Sequence, residues 1–172
     1  FDDTKEIPKN IYRREDLGLK KESFVMAAFH NSFKITPLVF DTWTNILLKI
    51  PHAVLWIRSN NEIADENIKR EFLEKGLDND RLIFSQRTVA DIDHFAKHYC
   101  ADLFLDTFYY NACATAIDSL WLGLPVVSLL GKSFISRVSS GFLFELGLND
   151  LVANTVEEYE QIVIDLANNP DK

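Results

Sequence analysis

The stretch ADLFLDTFYYNACATAIDSLWLGLPVVSLL, residues 101–130, decides the fold of this chain. Its apolar beginning, 101–106, is a predicted buried strand, and its apolar end, 126–130, is a second one. Residues 112–122 between them have helical character, and Gly123 follows as a helix stop signal. Strands that are apolar on both faces and separated by a helix are typical of a parallel sheet covered by helices on each side.

The same alternation continues on both sides of this stretch. Further strands are predicted at 24–29, 53–58, 81–85 and 150–153, and further helices at 37–50, 63–76, 89–99, 135–147 and from residue 155 onward. Thr36 followed by Pro37 marks a helix start, and Thr155 with Glu158 forms a capping-box pattern. We therefore predict an α/β fold, a Rossmann-like parallel sheet of about six strands with helices on both faces.

Composition narrows the class of protein. The 172 residues are 47% hydrophobic, which fits one domain with a sizeable core and excludes a disordered chain. The net charge of −8 argues against a nucleic-acid surface. Cys100 and Cys113 form neither a disulfide framework nor a metal-ligand pattern, so we expect a reduced, cytoplasmic protein with one buried and one more exposed thiol. No apolar run approaches the roughly 20 residues of a membrane span, so no membrane partner is expected.

The ends of the chain differ from its middle. Residues 1–22 are polar and contain the charge cluster RREDLGLKKE, so we predict a leading linker segment there and a single lobe over 23–172. The first ten residues have no apolar core like that of a signal peptide, and both ends are abrupt. We expect the chain to be a piece of a longer protein.

A ligand in such a sheet binds beyond the carboxyl ends of the strands. The first strand is followed by a loop with Asn31 and Lys34, and the fourth by the loop 111–115, which leads into a helix N-terminus. Free N–H groups and a partial positive charge at a helix N-terminus suit a phosphate. Because Lys34 and Lys132 approach the same edge, the pattern indicates an anion site, and we expect it to suit a diphosphate.

Asp118 is an acid on an otherwise apolar helix, three residues after Thr115 and on the same face. If the backbone around Thr115 holds phosphate, Asp118 is placed to accept hydrogen bonds from ribose hydroxyls. Plainer interpretations stay open: Asp118 can accept from a neighbouring backbone group or lysine, Lys34 can be a solvated loop lysine, and His94 a structural imidazole. The sequence contains no GxGxxG after the first strand, no P-loop and no GxSxG elbow.

Two long runs resemble a known family. They are HNSFKITPLVFDTWTNILLKIPHAVLWIR (30–58) and DHFAKHYCADLFLDTFYYNACATAIDSLWLGLPVVSLLGKSFISRVSSGFL (93–143). The lysine of the first loop, LDT at the end of the fourth strand, the asparagine-containing loop, D-x-LW-x-G-x-P-VV and SRV occur in order at fitting separations. Over about residues 11–170 the chain resembles the carboxy-terminal lobe of the O-linked N-acetylglucosamine transferase family, which includes the SPINDLY proteins and bacterial relatives with tetratricopeptide repeats.

The resemblance implies a two-lobed glycosyltransferase of the GT-B type. Its carboxy-terminal lobe holds a nucleotide sugar, usually UDP-N-acetylglucosamine, and the sugar passes to a Ser or Thr hydroxyl of a protein. No metal or other cofactor is implied. The protein acceptor is bound by an amino-terminal lobe and repeats that this chain does not contain, so we expect the chain alone to bind nucleotide weakly and to be inactive.

The resemblance also implies roles for particular residues. Lys34 matches a lysine that contacts the diphosphate and stabilises the leaving group, and Asn31 matches an amide in the same loop. His94 matches a histidine that packs near the nucleoside, with Lys97 as the basic residue one turn later. The remaining implied donor-binding positions are the backbone near Val89 for the uracil, the loop residues Cys113, Ala114 and Thr115 for the phosphates, and Asp118 for the ribose.

The chain departs from the family pattern at the phosphate loop. The family usually has Asn-Gly followed by His or Gly and two Thr, whereas this chain has Cys113 at the His position and Ala114 in place of one Thr. A basic position near the base is Asp91 here. Two alternatives therefore stay open: a non-catalytic binding or scaffold module of the same fold, and an enzyme that uses a GDP-sugar such as GDP-fucose.

Overall fold

The structure, a computed structural model, describes residues 12–86 and 91–169, with only the backbone described at 91 and 92. Its strands are β1 (Phe24–Ala28), β2 (Ala53–Arg58), β3 (Leu82–Ser85), β4 (Leu103–Leu105), β5 (Val126–Leu129) and β6 (Val152–Ala153). Its helices are α1 (Pro37–Lys49), α2 (Glu62–Glu74), α3 (Asp91–His98), α4 (Ala114–Trp121), α5 (Val138–Glu145) and α6 (Val156–Asn168). The alternation of strands and helices predicted from the sequence is confirmed.

The six strands form one parallel sheet in the order β3-β2-β1-β4-β5-β6. Met26 of β1 pairs with Leu55 of β2 on one side and with Leu103 of β4 on the other. The chain therefore builds the sheet outward from β1 in one direction, then returns and builds outward from β4 in the other. The strand order therefore reverses between β1 and β4. Open α/β sheets bind their ligands beyond the carboxyl ends of the strands at such a reversal.

Alternate residues of each strand fill two separate cores. On one face Met26 and Leu55 pack with Trp43 of α1 and Tyr159 of α6. On the other face the aliphatic and aromatic residues of the strands pack with helices α4 and α5. Helices on both faces, as predicted, explain why the strands are apolar throughout. Within 12–86 and 91–169, no helix is long and apolar enough to cross a membrane.

Side-chain caps set the starts of α1, α2 and α6. The Thr36 hydroxyl accepts from the backbone N–H of Val39, 3.5 Å away, at the start of α1, and Asn61 caps α2 in the same way. Thr155 accepts from the N–H of Glu158, but the Glu158 carboxylate accepts from the N–H of Asn154, one residue before the cap. The first half of the predicted capping box is therefore confirmed, and its second half is shifted by one residue.

Two predicted helices begin later than expected. The helix predicted from residue 112 begins at Ala114, because the N–H of Ala112 donates to the Asp106 carboxylate instead of entering the helix. The helix predicted over 135–147 is divided into a 3-10 turn (Phe134–Ser136) and α5. The turn forms because Ser136 accepts from the N–H of Gly131 through its carbonyl and from that of Ser133 through its hydroxyl.

The described part of the predicted linker packs against the lobe. Arg14 donates to the carbonyls of Ser23 and Cys100 and forms a 2.7 Å ion pair with Asp102. Leu19 is buried in the core. These contacts fasten the segment to the sheet, and the division at residue 22 stays a prediction.

Candidate functional site

The loops that leave β1 and β4 meet beyond the carboxyl ends of these two strands. Lys34 ends a 3-10 turn (Ser32–Lys34) shortly after β1. Its Nζ donates to the carbonyl oxygen of Asn111 at 3.0 Å and lies 3.9 Å from the centre of the Tyr110 ring. The two loops predicted to form one site therefore converge, and they bring an ammonium to the start of α4.

A buried carboxylate, that of Asp106, organises the loop after β4. One oxygen accepts from the N–H groups of Thr107 (2.8 Å) and Ala112 (2.7 Å), and the other accepts from the Ser128 hydroxyl (2.8 Å). Burial raises the pKa of Asp106 to about 6, although these hydrogen bonds oppose the shift. At neutral pH the group is therefore mainly a carboxylate, and it closes the loop by holding both of its ends.

The backbone between these ends is fixed as well. The Thr107 hydroxyl donates to the carbonyl of Tyr110 at 2.6 Å, and the Asn111 side-chain amide donates to the carbonyl of Thr107. The N–H of Asn111 donates to the carbonyl of Ile135, and the Ser139 hydroxyl donates to that of Ala112. The loop is thus preorganised, which lowers the entropy that a ligand must remove on binding.

The N-terminus of α4 presents free backbone donors. Ile117 is the first residue whose N–H bonds within the helix, to the carbonyl of Cys113. The N–H groups of residues 114–116 precede that bond. The Cys113 side chain does not cap them, whereas a side chain caps the start of each of α1, α2 and α6. Such an end attracts an anion, and it does so whatever side chains stand at Cys113 and Ala114.

Lys34 brings a positive charge to the start of α4. Burial lowers the pKa of Lys34, and the charge of Asp106 counteracts that shift. His30 lies in the same loop, four residues before Lys34, and is buried. Its Nε2 forms a 2.7 Å hydrogen bond with the carbonyl of Leu105. Burial lowers the pKa of His30 to about 4, and the lysine charge adds to this effect. The imidazole is therefore neutral at physiological pH and leaves the charge to the ammonium.

The other residues predicted around Lys34 share the same edge. Asn31 is half-buried and its carbonyl accepts from the N–H of Lys34 at 3.0 Å, which closes the turn. Cys113, just before α4, and Ala114, its first residue, are exposed, and Thr115 and Asp118 on α4 are half-buried. The structure therefore brings Asn31, Lys34 and the start of α4 together, whereas the functions of these residues stay predictions.

The residues predicted to hold the nucleoside lie on α3. His94 packs edge-on against Phe29, which follows β1, with ring centres 5.9 Å apart. Lys97 is only 5% exposed and donates to the Ser85 hydroxyl at 3.0 Å and the Gln86 carbonyl at 2.6 Å. Lys97 therefore fastens α3 to the end of β3. Val89 and the side chain of Asp91 lie outside the described residues.

Three residues of the site were not identified from the sequence as members of it: Asp106, Tyr110 and Ser128. A signal existed for two of them. Asp106 directly follows the apolar run Leu103–Leu105, and Ser128 is a hydroxyl inside the apolar run VVSLL, so each needed a buried polar partner. Tyr110 gave no such signal, because an aromatic residue in a loop has many possible neighbours.

Comparison with known proteins identifies the family. The sequence profile of glycosyl transferase family 41 matches residues 3–172. This chain belongs to glycosyl transferase family 41. The relatives and the solved structure described next confirm the predicted resemblance to the O-linked N-acetylglucosamine transferases.

Two relatives of this chain carry the names of N-acetylglucosaminyltransferases. The chain is 34% identical over 168 residues to a UDP-N-acetylglucosamine–peptide N-acetylglucosaminyltransferase of Caenorhabditis elegans, covering 96% of this chain and 14% of the relative. It is 30% identical to the probable enzyme SEC of Arabidopsis thaliana, covering 96% of this chain and 17% of that one. The chain thus spans about a sixth or less of the length of these two relatives.

A solved O-GlcNAc transferase structure has the same fold. A mutant of the Thermobaculum terrenum O-GlcNAc transferase superposes with a TM-score of 0.81 at 31% identity, over 86% of this chain and 29% of that one. The lobe is therefore the Rossmann-like lobe of a GT-B glycosyltransferase, as predicted from the sequence.

Proposed function

We propose that this chain is the nucleotide-sugar-binding lobe of a protein O-glycosyltransferase. The reaction is transfer of N-acetylglucosamine from UDP-N-acetylglucosamine to Ser or Thr hydroxyls of a protein, as the names of the relatives suggest. One observation carries the assignment to this lobe. The Lys34 ammonium lies 3.0 Å from the Asn111 carbonyl, at the entrance to the uncapped N-terminus of α4.

The chemistry follows from the charge that develops in the reaction. The acceptor oxygen attacks the anomeric carbon as the bond from that carbon to the diphosphate breaks, which inverts the anomeric centre. The nucleoside diphosphate leaves with an added negative charge, and Lys34 and the N–H groups of residues 114–116 stabilise it. This proposal needs no metal. The hydroxyl proton passes to a base in the part of the protein that holds the acceptor.

The nucleoside part of the donor extends from the phosphates toward α3. Asp118, one turn beyond Thr115 on α4, accepts hydrogen bonds from the ribose hydroxyls. His94 packs against the nucleoside, and the backbone near Val89 meets the base. Lys97 contributes indirectly, because its bonds to the end of β3 hold α3 and with it His94.

Nucleotide binding to the purified chain tests the proposal. We expect UDP and UDP-N-acetylglucosamine to raise the melting temperature, and Lys34→Met to remove most of this effect. Lys21→Met removes an exposed lysine from the opposite edge of the sheet and serves as the matched control. Failure of all nucleotides to stabilise the wild-type chain would overturn the proposal.

The same screen decides between the alternatives. Cys113 and Ala114 provide no hydroxyl or imidazole at the phosphate loop, which favours a non-catalytic scaffold module. Stabilisation by none of the nucleotides would support that module. Stabilisation by GDP and GDP-fucose, but not by the uridine compounds, would instead assign a GDP-sugar donor.

Transfer needs more than this lobe. The chain spans 14% of the Caenorhabditis elegans relative, and we propose that the acceptor is bound elsewhere in the protein, by an amino-terminal lobe and repeats. We therefore expect this chain to bind donor without glycosylating an acceptor peptide. Incorporation of labelled N-acetylglucosamine by the chain alone would contradict this division of roles.

A further inference from the structure

An aromatic ring covers the ammonium at the centre of the site. The centre of the Tyr110 ring lies 3.9 Å from Nζ of Lys34, well within the range of a cation–π contact. Phe33, the residue before Lys34, packs beside Tyr110 with ring centres 6.1 Å apart. Both rings are on the surface, since Tyr110 is 43% exposed and Phe33 69% exposed. Tyr110 is therefore not a core residue that the fold needs for its apolar area.

The loop sets the backbone position of Tyr110. Its carbonyl accepts from the buried Thr107 hydroxyl at 2.6 Å, and the next residue, Asn111, is bonded through its side chain and both backbone groups. The backbone that carries the ring therefore has a fixed place relative to the start of α4. Lys34 enters from a different loop, and a lysine side chain has four flexible bonds.

We propose that Tyr110 is a positioning residue for Lys34. The Tyr110 ring and the Asn111 carbonyl together hold the Lys34 ammonium at the N-terminus of α4. This inference rests on the proposed function, because the position matters only if a diphosphate binds there. An ammonium has three N–H donors. With one donated to Asn111 and the ring covering one side, the remaining donors are directed to a restricted region.

The proposed role predicts which ligands Tyr110 affects: those that carry phosphates, and not the nucleoside alone. A residue that only shapes the surface affects every ligand of the site alike. A residue that orients Lys34 affects ligands with phosphates and leaves the nucleoside unchanged. Its effect must also disappear when Lys34 has no charge to orient, which a double-mutant cycle measures.

The experiment compares Tyr110→Leu with Tyr110→Phe, each with Lys34 or with Lys34→Met, by calorimetry with UDP and with uridine. We expect Tyr110→Leu to weaken UDP about fivefold, the size of a partly desolvated cation–π contact. Uridine affinity should not change, Tyr110→Phe should behave as wild type, and Tyr110→Leu should have no further effect beside Lys34→Met. Equal weakening of uridine, or an undiminished effect beside Lys34→Met, would overturn the inference.

A second measurement separates this inference from the proposed function. In NMR spectra, a ring above the end of the lysine chain shifts the Lys34 ε-methylene protons upfield, in wild type and Tyr110→Phe but not in Tyr110→Leu. If no nucleotide binds and this shift is present, the proposed function fails while Tyr110 still holds the lysine. If the shift is absent from the wild-type protein, the positioning role is wrong whatever binds.

Discussion

Asp118 is the residue whose proposed role differs most from what its surroundings suggest. It is half-buried on a helix whose neighbouring positions are mainly apolar, one turn after Thr115. A carboxylate accepting from ribose hydroxyls forms charge-assisted hydrogen bonds, which are stronger than neutral ones. Its contribution should therefore depend on the hydroxyls of the ligand, and it can be measured on that basis.

We expect Asp118→Ala to weaken UDP at least tenfold, since hydrogen bonds to a charged group contribute about 1.5–3 kcal/mol each. The melting temperature should stay within a few degrees of wild type. Calorimetry with the dideoxy analogue of UDP is the control, because it lacks the hydroxyls. If Asp118→Ala weakens both ligands equally, the carboxylate does not contact the ribose, and the plainer interpretation of a local hydrogen bond is correct.

Asp106 supports the site without touching a ligand. Its carboxylate accepts hydrogen bonds from Thr107, Ala112 and Ser128. An asparagine would place a buried NH₂ group, which is itself a donor, against one of these donors. We expect Asp106→Asn to lower the free energy of unfolding by about 1–3 kcal/mol, the cost of an unpaired buried polar group. UDP affinity should fall as well, because the loop that precedes α4 loses an anchor.

Urea denaturation and calorimetry check this prediction, with Ser128→Ala as the comparison. That variant removes one donor and leaves the carboxylate and both N–H groups of the loop in place, so its effect should be smaller. An Asp106→Asn protein as stable as wild type would mean that the carboxylate does not hold the loop.

Among the elements, the segment between β5 and α5 contains a glycine that has no room for a side chain. A Cβ atom at Gly131 would lie 2.1 Å from Oγ and 2.8 Å from the carbonyl oxygen of Ser136. The backbone of the 3-10 turn would have to move, and with it Ile135, whose carbonyl accepts from Asn111. Gly141, in the middle of α5, has no neighbour within 4 Å of the corresponding position.

The two glycines therefore predict opposite results. We expect Gly131→Ala to destabilise the protein by about 1–3 kcal/mol through overpacking. Gly141→Ala should stabilise it by about 0.5–1 kcal/mol, because alanine is the better helix former. Thermal unfolding of both variants checks the pair. Equal effects of the same sign would show that the contact with Ser136 is relieved at no cost.

The elements show what the sequence can predict and where it fails. The strands and the caps of α1 and α6 follow from local patterns, because periodicity and a polar residue before a helix act within one segment. The start of α4 does not, since it depends on Asp106 taking the N–H of Ala112 from outside the helix. In the same way, the 3-10 turn before α5 depends on a close approach of Ser136 to Gly131.

At the scale of the whole molecule, the strand order explains why the site could be predicted at all. An alternating α/β sequence places its ligand at the carboxyl ends of the strands, so Lys34 and the loop 111–115 were expected on one edge. The order β3-β2-β1-β4-β5-β6 makes their parent strands neighbours. Which side chain covers the lysine is a contact between distant loops, so Tyr110 could be found only in the structure.

The buried titratable groups give the whole molecule a pH dependence of known sign. Burial lowers the pKa of His98 to about 4, with His94 adding to the effect, and lowers that of His30 to about 4, both from 6.5. Between pH 6.5 and about pH 4, these two histidines bind protons in the unfolded chain but not in the folded chain, so stability falls as pH decreases. Asp106, with its pKa raised from 3.8 to about 6, acts in the opposite direction over most of this range. The effect of the two histidines exceeds that of the one aspartate, so the net free energy of unfolding decreases toward acid pH.

We expect the free energy of unfolding to decrease between pH 6.5 and pH 4. His98→Phe should flatten this dependence, since it removes one group whose neutral form the fold requires, worth roughly 3 kcal/mol over the range. His52→Asn, at an exposed position after α1, controls for the loss of an imidazole. Urea denaturation at closely spaced pH values measures the slopes.

An Asp106→Asn protein should lose stability more steeply toward acid than wild type, because it lacks the opposing group. A wild-type stability that increases toward pH 4 would mean that the aspartate, and not the histidines, dominates the interior.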